Sequence, residues 1–131
     1  MLLLDTCALI YDALSPERLS RPAEVAIQKG HAQSELACSG ISLWEIAMLV
    51  AKGRLDPGTD ALGFIRLLLA ARRLQVLPIT PEIAVTSADT NLFSHADPAD
   101  RIIAATALIH KVRLITCDAH LAKVKGLSVL W

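Results

Sequence analysis

The chain has 131 residues, 53% of them apolar and 20% charged, with 13 basic side chains balancing 13 acidic ones. That length suits one compact domain and is short for two, and the apolar weight excludes a disordered chain. Zero formal charge excludes a protein that grips nucleic acid by bulk electrostatics; if the chain acts on nucleic acid, positive charge at the phosphate has to come from bound cations or local patches.

Residues 1–4 form an apolar run that stops at Asp5, short enough for a buried strand. Residues 6–14 read as a short helix. Ser15-Pro16-Glu17 and Ser20-Arg21-Pro22 both carry a hydroxyl ahead of a proline, a helix-start signal, and the helix they open is expected to stop near Gly30. A second strand is expected at 36–41. The next helix is expected to begin at Ser42 and to end near Gly53, with Ser42-Leu43-Trp44-Glu45 matching a capping box. After the Asp56-Pro57-Gly58 turn come a helix at 59–73, a strand at 75–79 and a helix opened by Thr80-Pro81-Glu82.

Asp97-Pro98 opens a helix running to about Lys111, apolar almost all round and therefore central. A fourth strand is expected at 112–116, a helical turn or two at 118–123, and a closing strand at 127–130. Strands separated by helices along the whole chain predict an α/β fold with a mostly parallel sheet. The aliphatic bias, with only two Trp, two Phe and one Tyr, fits a sheet covered on both faces. No repeat or linker interrupts the chain, so residues 1–131 read as one domain.

The three cysteines, Cys7, Cys38 and Cys117, are widely spaced and lack a C-x-x-C pattern. They read as reduced, small buried side chains with no zinc signature. No apolar run approaches the roughly 20 residues of a membrane span, and Asp5 and the missing basic start argue against a signal peptide. A soluble, cytoplasmic protein is expected.

The chemistry sits in acids at strand ends. In an open parallel sheet, ligands bind beyond the carboxyl ends of the strands. Asp5 follows the first strand, Asp118 follows the fourth, Glu45 lies one turn into a helix after the second, and Asp100 lies in the first turn of the central helix. Helix capping or the helix dipole also explains Glu45, Asp100 and Asp118 singly, and is the reading for Asp97. Asp5 is harder to explain so, because a carboxylate ending an apolar strand needs nearby positive charge and no Lys or Arg precedes Arg18. Oxygen-only clusters select hard cations, Mg²⁺ or Mn²⁺, one ion or two.

Four stretches carry a resemblance: Leu3-Leu4-Asp5-Thr6; Ile41-Ser42-Leu43-Trp44-Glu45-Ile46-Ala47; Asp97-Pro98-Ala99-Asp100-Arg101-Ile102-Ile103-Ala104-Ala105-Thr106-Ala107; and Leu114-Ile115-Thr116-Cys117-Asp118. Each is weak alone, but in this order and spacing, across essentially the whole chain, the sequence resembles the PIN-domain nucleases and among them the VapC-type toxins of toxin–antitoxin pairs. The resemblance implies an α/β/α sandwich and Mg²⁺- or Mn²⁺-dependent cleavage of RNA. It also implies that Asp5, Glu45, Asp100 and Asp118 are the catalytic, metal-binding acids, with Thr6 and Thr116 in support. It further implies a homodimer and a cognate VapB-type antitoxin lying near the active site.

Arg101 reads as a surface ion pair, or as a residue orienting a carboxylate or phosphate. His95 and His120 read as polar loop residues. The exposed parts of the Leu67–Leu69 helix and of the helix near Pro22 offer a dimer or antitoxin surface. Two other PIN readings stay open: a housekeeping RNA-processing nuclease without antitoxin, and a catalytically silent binding module. An aspartyl-phosphate hydrolase is disfavoured, since Cys7 stands where that chemistry places a second Asp.

Overall fold

The computed structural model describes residues 1–94 and 97–131. Its five strands are β1 (Leu2–Leu4), β2 (Leu36–Ser39), β3 (Gln75–Leu77), β4 (Arg113–Ile115) and β5 (Val129–Leu130). They form one sheet in the order β3-β2-β1-β4-β5, and every pairing is parallel. The helices are α1 (Thr6–Leu14), α2 (Arg21–Ala32), α3 (Gly40–Ala51), α4 (Ala61–Arg72), α5 (Pro81–Ser87), α6 (Pro98–His110) and α7 (Ala119–Ala122). This is the expected α/β/α sandwich.

Strand residues alternate between two cores, as the two-residue pleat requires. Leu4, Leu36, Cys38 and Ile115 pack with Ala8, Leu9, Ala23, Ile27, Phe64 and Leu68 of α1, α2 and α4. Leu3, Ala37, Leu77 and Leu114 point the other way, onto Ile83 of α5, Ile103 and Ala107 of α6, and Leu121 of α7. Burial on both faces is why the strands read as unbroken apolar runs. Chain order reverses at β1: the connections to β2 and β3 step one way, and β4 returns to the opposite side. The carboxyl ends of β1 and β4 therefore flank the crevice where such sheets bind ligands.

Several boundaries differ from the sequence expectation. α2 runs through Gly30 to Ala32, and the chain turns at Ser34, which has a φ of 55°. Gly30 serves close packing instead: a Cβ there would lie 2.5 Å from Leu36 Cδ2, so that buried side chain would have to shift. Helix α3 starts two residues early, because β2 ends at Ser39, whose hydroxyl accepts from the Ile41 amide. Ser42 is thus inside the helix, and the expected capping box is not formed. The helix expected at 59–73 starts at Ala61, capped by Asp60, and Pro16–Arg18 forms a separate 3-10 turn. Strands β3 and β5 are shorter than expected, their ends lying at the sheet's edges where only one neighbour sustains pairing. Among the described residues no helix is long and apolar enough to cross a membrane.

Candidate active site

Asp5 leaves β1 beside β4, its amide bonded to the Ile115 carbonyl at 3.1 Å. Only 5% exposed, it caps α1 by accepting from the Ala8 amide at 3.0 Å, and its Oδ1 also accepts from the Cys7 thiol at 2.9 Å. The Thr116 hydroxyl, one residue past β4, donates to Asp5 Oδ2. The donors that hold this carboxylate are thus neutral groups: Thr116 in the supporting role the resemblance implies, joined by the Ala8 amide and the Cys7 thiol. Thr116 Oγ1 also accepts from the Asp118 amide at 3.1 Å, tying the two strand-end acids together. Asp118 caps α7, accepting from the His120 amide at 2.8 Å, and lies 3.3 Å from His120 Nδ1. His120 is therefore an exposed residue of the first turn of α7, not of a loop.

Glu45 comes from α3 on the second side of the crevice. The buried Thr6 hydroxyl is 2.5 Å from its Oε1 and 3.0 Å from the Ser42 hydroxyl. Burial raises the proton affinity of Glu45 above the ordinary carboxylate range; the charges of Asp100, Asp97 and Asp5 add to the rise, and the Thr6 hydrogen bond opposes it. Asp97 and Asp100 stand at the start of α6. Asp97 caps that helix by accepting from the Ala99 amide at 2.9 Å, as expected. Its carboxylate also does something the sequence reading missed. Glu45, Asp97 and Asp100 each bring one oxygen within 4.8 Å of the others. The missed signal was the three-residue spacing of Asp97 and Asp100, which puts both on one face of a helix start.

Asp5, Glu45, Asp100 and Asp118 all line one cavity of about 250 Å³, together with Thr6, Cys7, Ile10 and Leu49. Arg101 is not among the lining residues; it is half-buried, with its Nε buried and without a hydrogen-bond partner among the described residues. His95 lies outside the described residues. Beside the cavity, sharing Glu45 and Leu49, runs a mostly apolar groove of about 660 Å³ lined by Trp44, Met48 and Ile102, with Lys52 and Arg54 at its rim.

An acidic oxygen-only donor set of this kind fits a hard divalent cation and offers no soft ligand set within the oxygen triad. The cysteines differ from the uniformly buried trio expected. Cys38 is buried, Cys7 is half-buried and lines the cavity, and Cys117, in the loop after β4, is exposed. Cys7 and Cys117 meet with their sulfurs 3.3 Å apart. Burial and the Asp5 carboxylate push the Cys7 thiol well up from its usual range.

Known proteins share this fold. The PIN domain pattern matches residues 2–127. Ribonuclease VapC22 of Mycobacterium tuberculosis is 37% identical over 119 residues, which is 91% of this chain and 88% of that protein. Among solved structures, VapBC2 from Rickettsia felis bound to a promoter DNA fragment superposes with a TM-score of 0.77 at 16% identity, covering 98% of this chain and 96% of the other. DNA-bound VapBC from Salmonella typhimurium gives a TM-score of 0.74 at 19% identity, with 98% and 96% coverage. At those identities the structures speak for the fold, while the matched pattern and the Mycobacterium tuberculosis relative carry the kinship. This chain belongs to the PIN-domain family.

Proposed function

We propose that the chain is a divalent-metal-dependent endoribonuclease of the VapC kind, acting in the cytoplasm as the toxin of a toxin–antitoxin pair. The observation that carries this reading is the cavity itself. Four carboxylates surround about 250 Å³, and no Lys or Arg is among its described lining residues. Such a concentration of negative charge calls for a cation, and hard oxygen donors favour Mg²⁺ or Mn²⁺, one ion or two. When bound, the ion supplies positive charge for the RNA phosphate and acidifies an attacking water.

The chain's own residues hold and orient. Asp5, Glu45, Asp100 and Asp118 bind, and Asp97 is within reach of the same ion as Glu45 and Asp100. Thr116 and the Ala8 amide fix the Asp5 carboxylate plane, and Thr6 fixes Glu45. Held rotamers matter, since a misplaced ligand costs rate even when the charge is right. Arg101, next to Asp100 in the chain, is assigned a supporting role from outside the cavity lining.

The relative named Ribonuclease VapC22 supports RNA as substrate, and the VapBC complexes support a VapB-type antitoxin; a homodimer is part of the same proposal. The apolar groove with Lys52 and Arg54 at its rim adjoins the acids and suits an extended antitoxin segment with apolar anchors. The outer faces of α4 and α2, where Leu67 is 65% exposed and Val25 46%, are available for dimerisation. The whole chain, 1–131, acts as one nuclease domain.

The test compares purified wild type with Asp5→Asn on RNA in Mg²⁺ or Mn²⁺, with contaminating nuclease excluded. The variant keeps its circular dichroism and loses cleavage; equal cleavage by both proteins rejects the assignment. Growth arrest on expressing the chain alone, relieved by Asp5→Asn, separates a toxin from a housekeeping nuclease. Sequencing the RNA ends then identifies the cut site.

A further inference from the structure

The Cys7 and Cys117 thiols lie 3.3 Å apart although 110 residues separate them in the chain. Their approach follows from the sheet. β1 and β4 are paired with Leu4 beside Ile115, so the residues just past each strand end emerge side by side. A disulfide sulfur–sulfur bond is about 2.05 Å long, so closure asks the sulfurs to approach by only about 1.3 Å. Cys117 is exposed and open to reagents; Cys7, half-buried behind it, is placed to attack whatever forms on Cys117.

We propose that Cys7, which lines the acidic cavity, and Cys117 beside it form a peroxide-responsive dithiol, whose closure to a disulfide switches the site off. Hydrogen peroxide is the oxidant. The Cys117 sulfur takes one peroxide oxygen as the O–O bond breaks, giving a sulfenic acid and one water. The Cys7 sulfur then attacks the Cys117 sulfur as its proton shifts along the existing hydrogen bond to Asp5 Oδ1: the S–S bond forms, the S–O bond breaks, and the departing hydroxyl takes that proton from Asp5 and leaves as a second water. Two electrons pass from the thiol pair to the peroxide. A cellular dithiol reverses the step by thiol–disulfide exchange.

The effect on the site follows from its hydrogen bonds, and this part rests on the nuclease reading above. Oxidation removes the Cys7 proton that now bonds Asp5 Oδ1 at 2.9 Å. It also pulls on the short loop in which Cys117 sits between Thr116, which donates to Asp5, and Asp118. Both strand-end acids are therefore disturbed by one bond. Cys38, buried in β2, is out of reach and serves as an internal control.

The reduced full-length protein is treated with a few-fold excess of hydrogen peroxide and quenched. Intact mass should fall by the two hydrogens lost, a peptide map should join Cys7 to Cys117, and titratable thiols in denaturant should drop from three to one. RNA cleavage should fall by about tenfold or more, the size of effect expected when a ligand's supporting contacts are disturbed, and return with dithiothreitol. Cys117→Ser, or Cys117→Ala if the serine protein is poorly made, should keep its activity through the same treatment. Stepwise oxygen addition at Cys117 without the crosslink overturns the proposal, and so does a crosslinked protein that cuts as fast as the reduced one. Reduced wild type that fails to cut RNA in Mg²⁺ or Mn²⁺ rejects the nuclease reading alone, because the peptide map still decides whether the thiols pair.

Discussion

The strand-end half of the cavity and its helix-borne half are held in opposite ways. At the ends of β1 and β4, Asp5 receives an amide, a hydroxyl and a thiol, and Asp118 is linked to it through Thr116. Across the crevice, Glu45 of α3 faces Asp97 and Asp100 of α6, carboxylate toward carboxylate, with burial and like charge raising the proton affinity of Glu45. The first half is ordered by the sheet before any ligand arrives, because strand register sets the positions of its donors. The second half gathers three carboxylates, and a cation bound there would offset the most like charge. Pre-organisation and charge demand are thus divided between two layers of the same fold.

Four changes break or sharpen that division. The largest effect is expected from Asp100→Asn, which takes a charge from the helix half: RNA cleavage in Mn²⁺ should fall beyond the about 10–100-fold typical of losing a supporting contact, with circular dichroism unchanged. Near-normal turnover would mean that the helix half holds no catalytic ion. Thr116→Val strikes the strand half without altering charge. It should cost about 10–100-fold in activity, mainly in kcat, and Thr116→Ser should restore most of it. A loss seen only as a lower Tm, with full turnover of the folded protein, would reduce Thr116 to a structural part.

Asp97→Asn comes next. Asn caps helices about as well as Asp, so α6 should persist while Mn²⁺ binding weakens by about fivefold, near 1 kcal/mol for one exposed charge. An unchanged binding isotherm would leave Asp97 with its capping role alone.

The smallest effect concerns Glu45 in the metal-free protein. Its folded-state proton affinity is raised, so the stability it contributes is fully present below its ordinary value of 4.5 and declines as pH climbs through the higher folded value. Glu45→Gln removes that slope. Without metal, the variant should gain on wild type between pH 4.5 and pH 7, by at most about 1 kcal/mol since Glu45 is only half-buried. Added Mg²⁺ should reverse the order, stabilising wild type more; parallel melting curves at every pH would remove like-charge strain from the account.

Much of this architecture was legible in local chemistry. Hydroxyl-proline pairs at Ser20 and Thr80 and the Asp97 cap mark helix starts that the structure contains. The reading of Ser42-Leu-Trp-Glu45 as a capping box failed, because Ser39 offers the same hydroxyl three residues earlier and strand pairing decides which one caps. Gly30 looked like a helix stop and is instead a point of contact with Leu36, which no local pattern reveals. Asp5 was expected to need a cation beside it. It has neutral donors from Cys7, Ala8 and Thr116, the last of them 111 residues away.

By itself, the sequence determined which segments become strands and helices, and which acids end up at strand ends or helix starts, since propensity, capping and apolar period act over a few residues. The tertiary structure alone decided that β1 and β4 are neighbours, that Asp97 joins Glu45 and Asp100, and that Cys7 touches Cys117. Those facts depend on strand order and crossover, and hence on burying two apolar layers at once, a constraint on the whole chain that no short window of residues contains.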